Sequence, residues 1–159
     1  MQQEEPARQP SSKNRRRTSA SSAASERRPP APLILFVDDN GELRDLYAAY
    51  FVLEGFRVGT ASDGATGFIQ AVESQPDVVV ADLSMPHVDG WEMTRRLKRN
   101  PRTAHIPVIA CTGRAYGGSA ERALDAGCDA YVVKPYFPED MIAEVRRQLA
   151  HRATRRRSA

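Results

Sequence analysis

At 159 residues, 41% of them hydrophobic, the chain suits one domain with a real core and some length to spare. Its net charge of +3 is unevenly spread: residues 1–32 carry seven Lys or Arg against three Glu, residues 151–159 carry four Arg and no acid, and residues 33–150 carry twelve basic against seventeen acidic side chains. An acidic globular part is therefore flanked by two basic ends, and the absence of a long apolar run argues against a signal peptide or a membrane span.

Residues 1–32 are rich in Ser, Pro, Arg and Ala, with no aromatic side chain. That composition cannot offset its own ordering entropy, and a disordered basic tail is expected there. At Leu33 the character changes. "LILFV" is a strand-length apolar run, and "ELRDLYAAYFVLEG" places Leu43, Leu46, Tyr47, Tyr50 and Leu53 at helical spacing, with Gly55 as the stop. "FRVGT" is a weak strand whose Arg57 and Gly59 suit a sheet edge, and Asp63 caps a second helix running to about Ser74. "DVVVA" is a third strand, and "GWEMTRRLKR" is a short helix opened by Asp89 and Gly90 and ended by Asn100-Pro101. "IPVIAC" reads as a fourth strand, "SAERALDAG" as a helix and "AYVV" as a fifth strand. "PEDMIAEVRRQLA" is a last helix with Pro138 at its start and acids in its first turn. The folded domain is thus expected over 33–150, with 151–159 as a basic C-terminal tail.

Five strands alternating with five helices across short connections imply an α/β fold, a parallel sheet doubly wound by right-handed crossovers. In such sheets ligands bind at the carboxyl ends of strands near the topological switch point. Polar residues fall at those ends. Asp38 and Asp39 follow the first strand, Asp82 ends the valine run of the third, Thr112 ends the fourth, and Lys134-Pro135 follows the fifth. Three carboxylates brought together repel one another unless a cation joins them. Mg²⁺ answers that need, because it takes oxygen ligands and binds through few carboxylates when a phosphate shares the site. Lys134 and the Thr112 hydroxyl suit the oxygens of a phosphoryl group.

Taken together, "FVDDN", "DLSMPHVDG", "ACTG" and "YVVKP" resemble the receiver domain of two-component response regulators, of the single-domain type found in chemotaxis, over residues 33–150. The resemblance implies a flavodoxin-like sheet of strand order 2-1-3-4-5. It implies that Asp82 is the phosphoacceptor, that Asp38, Asp39, Asp82 and the backbone carbonyl of Ser84 hold Mg²⁺, and that Lys134 binds a phosphoryl oxygen through an arm aimed by a cis Lys134-Pro135 peptide. Thr112 and Tyr131 would act as the switch that reshapes the face made by the fourth helix, fifth strand and fifth helix. Ser84 and Arg114 would influence the lifetime of the acyl phosphate. The partners implied are a sensor histidine kinase or phosphotransfer protein and a downstream protein, in the cytoplasm. The chain would be a phosphoacceptor that assists its own phosphorylation rather than an enzyme, and a stand-alone receiver, since only nine polar residues follow position 150.

Plainer readings stand beside these. Asp38-Asp39 alone would be helix-capping acids, and Tyr131 reads equally as a core aromatic. Trp91 reads as a half-exposed helix residue. Cys111 and Cys128 show neither metal nor redox spacing and read as reduced packing residues. His87, His105 and His151 are scattered. Gly117 and Gly118 should loosen the start of the fourth helix. The segments "KNRRR" and "TRRRSA" could attract nucleic acid through charge alone but lack aromatic interleaving, so a nucleic-acid-binding regulator with the receiver as its switch is the alternative. A haloacid-dehalogenase-like phosphatase would need a second Asp two positions after the first, and "DDNGE" lacks it.

Overall fold

A computed structural model describes residues 29–113 and 119–159. The expected disordered tail up to residue 28, Arg114 and the Gly117-Gly118 pair lie outside the described residues. The elements in chain order are β1 (Leu33–Val37), α1 (Gly41–Leu53), β2 (Arg57–Ala61), α2 (Gly64–Ser74), β3 (Val78–Asp82), α3 (Gly90–Arg99), β4 (Val108–Thr112), α4 (Ser119–Asp125), β5 (Ala130–Val133) and α5 (Pro138–Arg157). The strands form one sheet in the order β2-β1-β3-β4-β5, and each neighbouring pair is parallel. This is the doubly wound parallel sheet expected from the alternation, in the flavodoxin-like order the resemblance implied, with β2 at an edge.

Strand periodicity divides the core. Ile34, Phe36, Val78, Val80, Ile109 and Cys111 face one way and pack with Tyr47 and Phe51 of α1 and Met141 and Val145 of α5. Leu35, Val37, Val79, Ala81, Val108 and Ala110 face the other way, toward Ala71 of α2, Met93 and Leu97 of α3 and Ala123 of α4. Every residue of β3 and β4 is buried, because helices cover both faces of a parallel sheet and leave no side for water.

Helix boundaries follow local chemistry. Asn40, Asp63 and Asp89 each cap a helix by accepting a backbone N–H three residues on. Gly55, with φ of 90°, takes the left-handed turn that ends α1. The buried stripe of α1 differs from the expected one. Tyr47 and Phe51 are buried with Leu43 and Tyr50 against them, whereas Leu46 is 54% and Leu53 83% exposed. The i, i+4 series Leu43–Tyr47–Phe51 faces the sheet, and the series through Leu46 and Leu53 is rotated off it.

The last helix corrects a second expectation. α5 does not stop near Ala150 but runs to Arg157, so most of the expected C-terminal tail is helical. Arg152 is the physical reason. Its Nη1 donates to the carbonyl and the Oδ1 of Asp77, each at 2.9 Å, while Asp77 Oδ2 accepts from the Leu33 N–H at 2.9 Å. The extended helix is thereby tied to the amino ends of β1 and β3. No helix among the described residues is long and apolar enough to cross a membrane.

Candidate functional site

The carboxyl ends of β1, β3, β4 and β5 meet at one place. Ala81 of β3 pairs with Val37 of β1, Asp82 pairs with Cys111 of β4, and Thr112 pairs with Val133 of β5. That register delivers Asp38, Asp82, Thr112 and Lys134 to one edge. Carboxylate oxygens of Asp38, Asp39 and Asp82 all lie within 4.8 Å of one another. Asp38 and Asp82 are buried, at 2% and 7% exposure, and Asp39 is exposed.

Burial of two carboxylates requires compensation. Asp38 Oδ1 accepts from the Asn40 N–H at 2.9 Å and Asp82 Oδ1 from the Ser84 N–H at 3.0 Å. The Lys134 ammonium stands between the other two oxygens, 3.2 Å from Asp38 Oδ2 and 3.5 Å from Asp82 Oδ2. Burial pulls the Lys134 ammonium down, but the carboxylates of Asp82 and Asp38 more than offset it and hold it above its ordinary value. The lysine therefore stays charged across the physiological range. Asp39 has no ion pair among the described residues. Three carboxylates with one bridging ammonium leave an excess of negative charge over oxygen donors, which fits a hard divalent cation.

Lys134 itself is set by its backbone. Its N–H donates to the Thr112 carbonyl at 2.7 Å, and the Lys134-Pro135 peptide is cis, as the resemblance implied. Thr112 is buried at the end of β4, and Ser84 is exposed in the loop beyond Asp82. Tyr131 is not part of this cluster. It pairs with Ala110, two residues back from Thr112 along the strand, and is 45% exposed, so its side chain is neither core nor at the acidic edge. Trp91 is partly buried against the core and lies under the Arg122 guanidinium, 5.0 Å from its ring centroid. Cys111 and Cys128 are free and buried.

Three further residues shape the site in ways the sequence reading does not give. Arg44 Nη1 donates to the Asp38 carbonyl at 2.7 Å, fixing the chain between β1 and α1. Tyr136 donates its hydroxyl to the Cys111 sulfur at 3.5 Å and packs its ring on Tyr47, 5.4 Å between centroids. Tyr47, Leu43, Lys134 and Tyr136 line a crevice of about 380 Å³ beside the acidic cluster. Gly90 opens α3 directly against the phosphoacceptor candidate's backbone: a Cβ there would lie 2.2 Å from the Asp82 carbonyl oxygen. The "VDGW" motif signals the helix start but not this close approach.

Comparison with known proteins agrees with this geometry. The family model described as the response regulator receiver domain matches residues 34–146. Among curated proteins, the DNA-binding dual master transcriptional regulator RpaA of Synechocystis sp. is 39% identical over 115 residues, covering 72% of this chain and 48% of RpaA. The phosphate regulon transcriptional regulatory protein PhoB of Rhizobium meliloti is 36% identical over 118 residues, covering 74% of this chain and 52% of PhoB. The chain thus spans about half the length of these relatives. Among solved structures, the receiver domain of the sensor histidine kinase PA1611 from Pseudomonas aeruginosa superposes with a TM-score of 0.70 at 28% identity, covering 76% of this chain and 98% of that one. A magnesium ion is coordinated in the active site cleft of that protein. The chemotaxis protein CheY4 of Vibrio cholerae shares the fold, with a TM-score of 0.70 at 24% identity over 74% of this chain and 98% of that one. On the matched span and the strand-end site together, this chain belongs to the response regulator receiver family.

Proposed function

We infer that the chain is a phosphoacceptor switch: the Asp82 carboxylate takes a phosphoryl group from a phosphohistidine of a sensor kinase or phosphotransfer protein. The observation that carries this reading is the Lys134 ammonium, set between the buried carboxylates of Asp38 and Asp82. A structural ion pair needs one acid. A lysine shared by two of three clustered acids at a strand-end crevice suits an incoming group with more negative charge.

In the transfer, an Asp82 carboxylate oxygen attacks phosphorus, the bond from phosphorus to the imidazole nitrogen breaks, and the leaving imidazole takes up a proton. The nucleophile is a carboxylate of the chain itself, so the residues around it supply positioning and charge neutralisation. The Ser84 N–H holds Asp82 Oδ1 and leaves Oδ2 toward Lys134. Lys134 would follow the transferred oxygens, exchanging part of its attraction to Asp82 for the phosphoryl group. Asp38, Asp39, Asp82 and the Ser84 carbonyl would hold Mg²⁺, which supplies neutralisation of the acids and of the phosphoryl oxygens. Thr112, at the neighbouring strand end, would donate its hydroxyl to the modified aspartate. Tyr131, exposed on β5, would report the change to a protein bound at the face of α4, β5 and α5.

The test is incubation with Mg²⁺ and acetyl phosphate, read by intact mass. The wild-type protein should gain one phosphoryl group, a chelator should block it, and Asp82→Asn should gain none. Labelling that persists in Asp82→Asn, or a label mapped to Asp38 or Asp39, overturns the assignment.

A further inference from the structure

At the other end of the sheet, the amino ends of β4 and β5 and the last turns of α5 border a second, half-open cavity, of about 500 Å³. β4 alone separates it from the acidic site by roughly 16 Å, five residues at the strand rise. Its charge is opposite. Arg147, Arg152, Arg155 and Arg156 line it together with His105 and His151, so two histidines far apart in sequence meet here.

The acids nearby do not balance these cations. Asp129 is paired with Lys98, Glu144 with Arg147, and Asp77 with Arg152. Four arginines and Lys98 face Asp129, Glu144, Asp77 and the terminal carboxylate of Ala159, which also lines the cavity, and this leaves one positive charge before either histidine is counted; Arg155 and Arg156 have no ion pair among the described residues. The carbonyl end of α5 contributes about half a negative charge. That accounts for some arginine in the last turn, but not for four arginines and two histidines around one cavity. Two details describe the setting of these cations. Burial, with Arg152, Arg156 and Lys98 beside it, holds the His105 imidazole below its ordinary value. Arg152, with 11% of its side chain exposed, has a buried Nε with no hydrogen-bond partner among the described residues, the kind of orphaned donor that an ion or bridging water satisfies.

We propose that this cavity binds a nucleotide carrying two or more phosphate charges. Guanidinium forks suit phosphate oxygens. The volume falls within the ~300–1,000 Å³ typical of small-molecule sites and far exceeds what a single phosphate fills. The imidazoles of His105 and His151 and the ring of Pro107 offer flat or apolar surface for a base. Concavity favours a compact ligand over the backbone of a duplex, which meets protruding or groove-filling elements. The site is independent of the phosphoacceptor reading, since it shares no residue with the acidic cluster.

Titration calorimetry on the full chain, without Mg²⁺, tests this with ATP, pyrophosphate, adenosine and a short DNA duplex as probes. ATP should bind with 1:1 stoichiometry, pyrophosphate more weakly, adenosine not measurably, and the affinity should fall as salt rises. Arg155→Glu with Arg156→Glu, both exposed positions, should weaken ATP about tenfold or more, the equivalent of one lost charge-assisted contact. Asp82 labelling by acetyl phosphate should be unchanged in that variant. Asp39→Asn should bind ATP as wild type does, which separates this site from the acidic one. ATP binding no tighter than adenosine, equal affinity in the charge-reversed variant, or a duplex that displaces ATP at equal phosphate concentration would each overturn the proposal, the last in favour of a nucleic-acid surface.

Discussion

Gly90→Ala is the substitution that most directly connects packing to chemistry in this protein. The added methyl would stand 2.2 Å from the Asp82 carbonyl oxygen and 2.9 Å from the Leu83 Cα. Ordinary contact begins near 3.4 Å, so α3 and the end of β3 must separate by about 1 Å. Both neighbours are backbone, and no rotamer change relieves the overlap. Overpacking of that kind costs about 1–3 kcal/mol. A 1 Å error in the placement of a reacting group can cost on the order of a hundredfold in rate, because the in-line geometry at Asp82 depends on the strand end that moves. Gly59→Ala is the control: its Cβ would lie 3.5 Å from the Leu35 Cδ1, an ordinary contact. Urea denaturation and the rate of acetyl phosphate labelling should both fall in Gly90→Ala and neither should change appreciably in Gly59→Ala. A Gly90→Ala protein with wild-type midpoint and labelling rate would refute the idea that α3 positions Asp82 by backbone contact.

Lys134→Ala should slow acetyl phosphate labelling by about a hundredfold or more, the scale of losing one preorganised charge at a transition state, while Mg²⁺ still raises the melting temperature because the three carboxylates remain. Arg152→Met should destabilise the fold by about 1–3 kcal/mol in urea denaturation, since it leaves Asp77 Oδ1 and the Asp77 carbonyl without their Arg152 donor; a wild-type midpoint would show that the end of α5 does not belong to the cooperative unit. Alkaline pH should also destabilise. Burial pushes the Cys111 thiol from its ordinary 9.0 up to about 12 and raises Tyr136 as well. A group whose folded value is raised contributes stability that is complete below the unfolded value and lost as pH climbs toward the folded one. For Cys111 the decline should run from about pH 9 to pH 12, at about 1.4 kcal/mol per pH unit. In Cys111→Ala the slope over that window should shrink.

The acidic site was legible because its residues occupy positions that the topology itself marks. Asp38, Asp82, Thr112 and Lys134 each end a hydrophobic run, and a parallel sheet brings every such end to one edge. Strand identity was legible for the same reason, since runs such as "DVVVA" between helix signals leave little alternative. What escaped depends on rotation and on distant pairing. Leu46 and Tyr47 are neighbours with similar propensity, and only packing on the sheet decides which is buried. The length of α5 rests on Arg152 meeting Asp77, 75 positions away, and no local signal in "HRATRRRSA" announces it. His105 and His151 seemed scattered because the fold, not the sequence, brings a turn before β4 beside the end of α5.

Aspartates at the two ends of this sheet do different work, and their position along the strand explains why. A strand's amino end presents backbone N–H groups that an aspartate can satisfy. Asp77 accepts from the Leu33 N–H and from Arg152, and Asp129 Oδ2 accepts from the Val108 N–H at 2.9 Å and the Lys98 ammonium at 2.8 Å. These carboxylates are committed to backbone and cation, which makes them structural. At the carboxyl end the strands present carbonyls, which cannot donate to a carboxylate. Asp82 therefore keeps one backbone bond, from Ser84, and one lysine shared with Asp38, which is what the proposed roles of ligand and nucleophile require. Removing an aspartate's charge should then have opposite consequences at the two ends. Asp129→Ala should lower stability by about 1–3 kcal/mol, because it strands the Val108 N–H and removes the acid paired with Lys98, yet still accept a phosphoryl group at Asp82. Asp82→Asn should stay folded with a stability near or above wild type, since it removes one of three repelling charges, and should lose labelling entirely. Paired measurements of urea midpoint and acetyl phosphate labelling on the two variants decide the matter. A labelling defect in Asp129→Ala at a temperature where it is fully folded would mean that the amino-end carboxylates also shape the reactive edge.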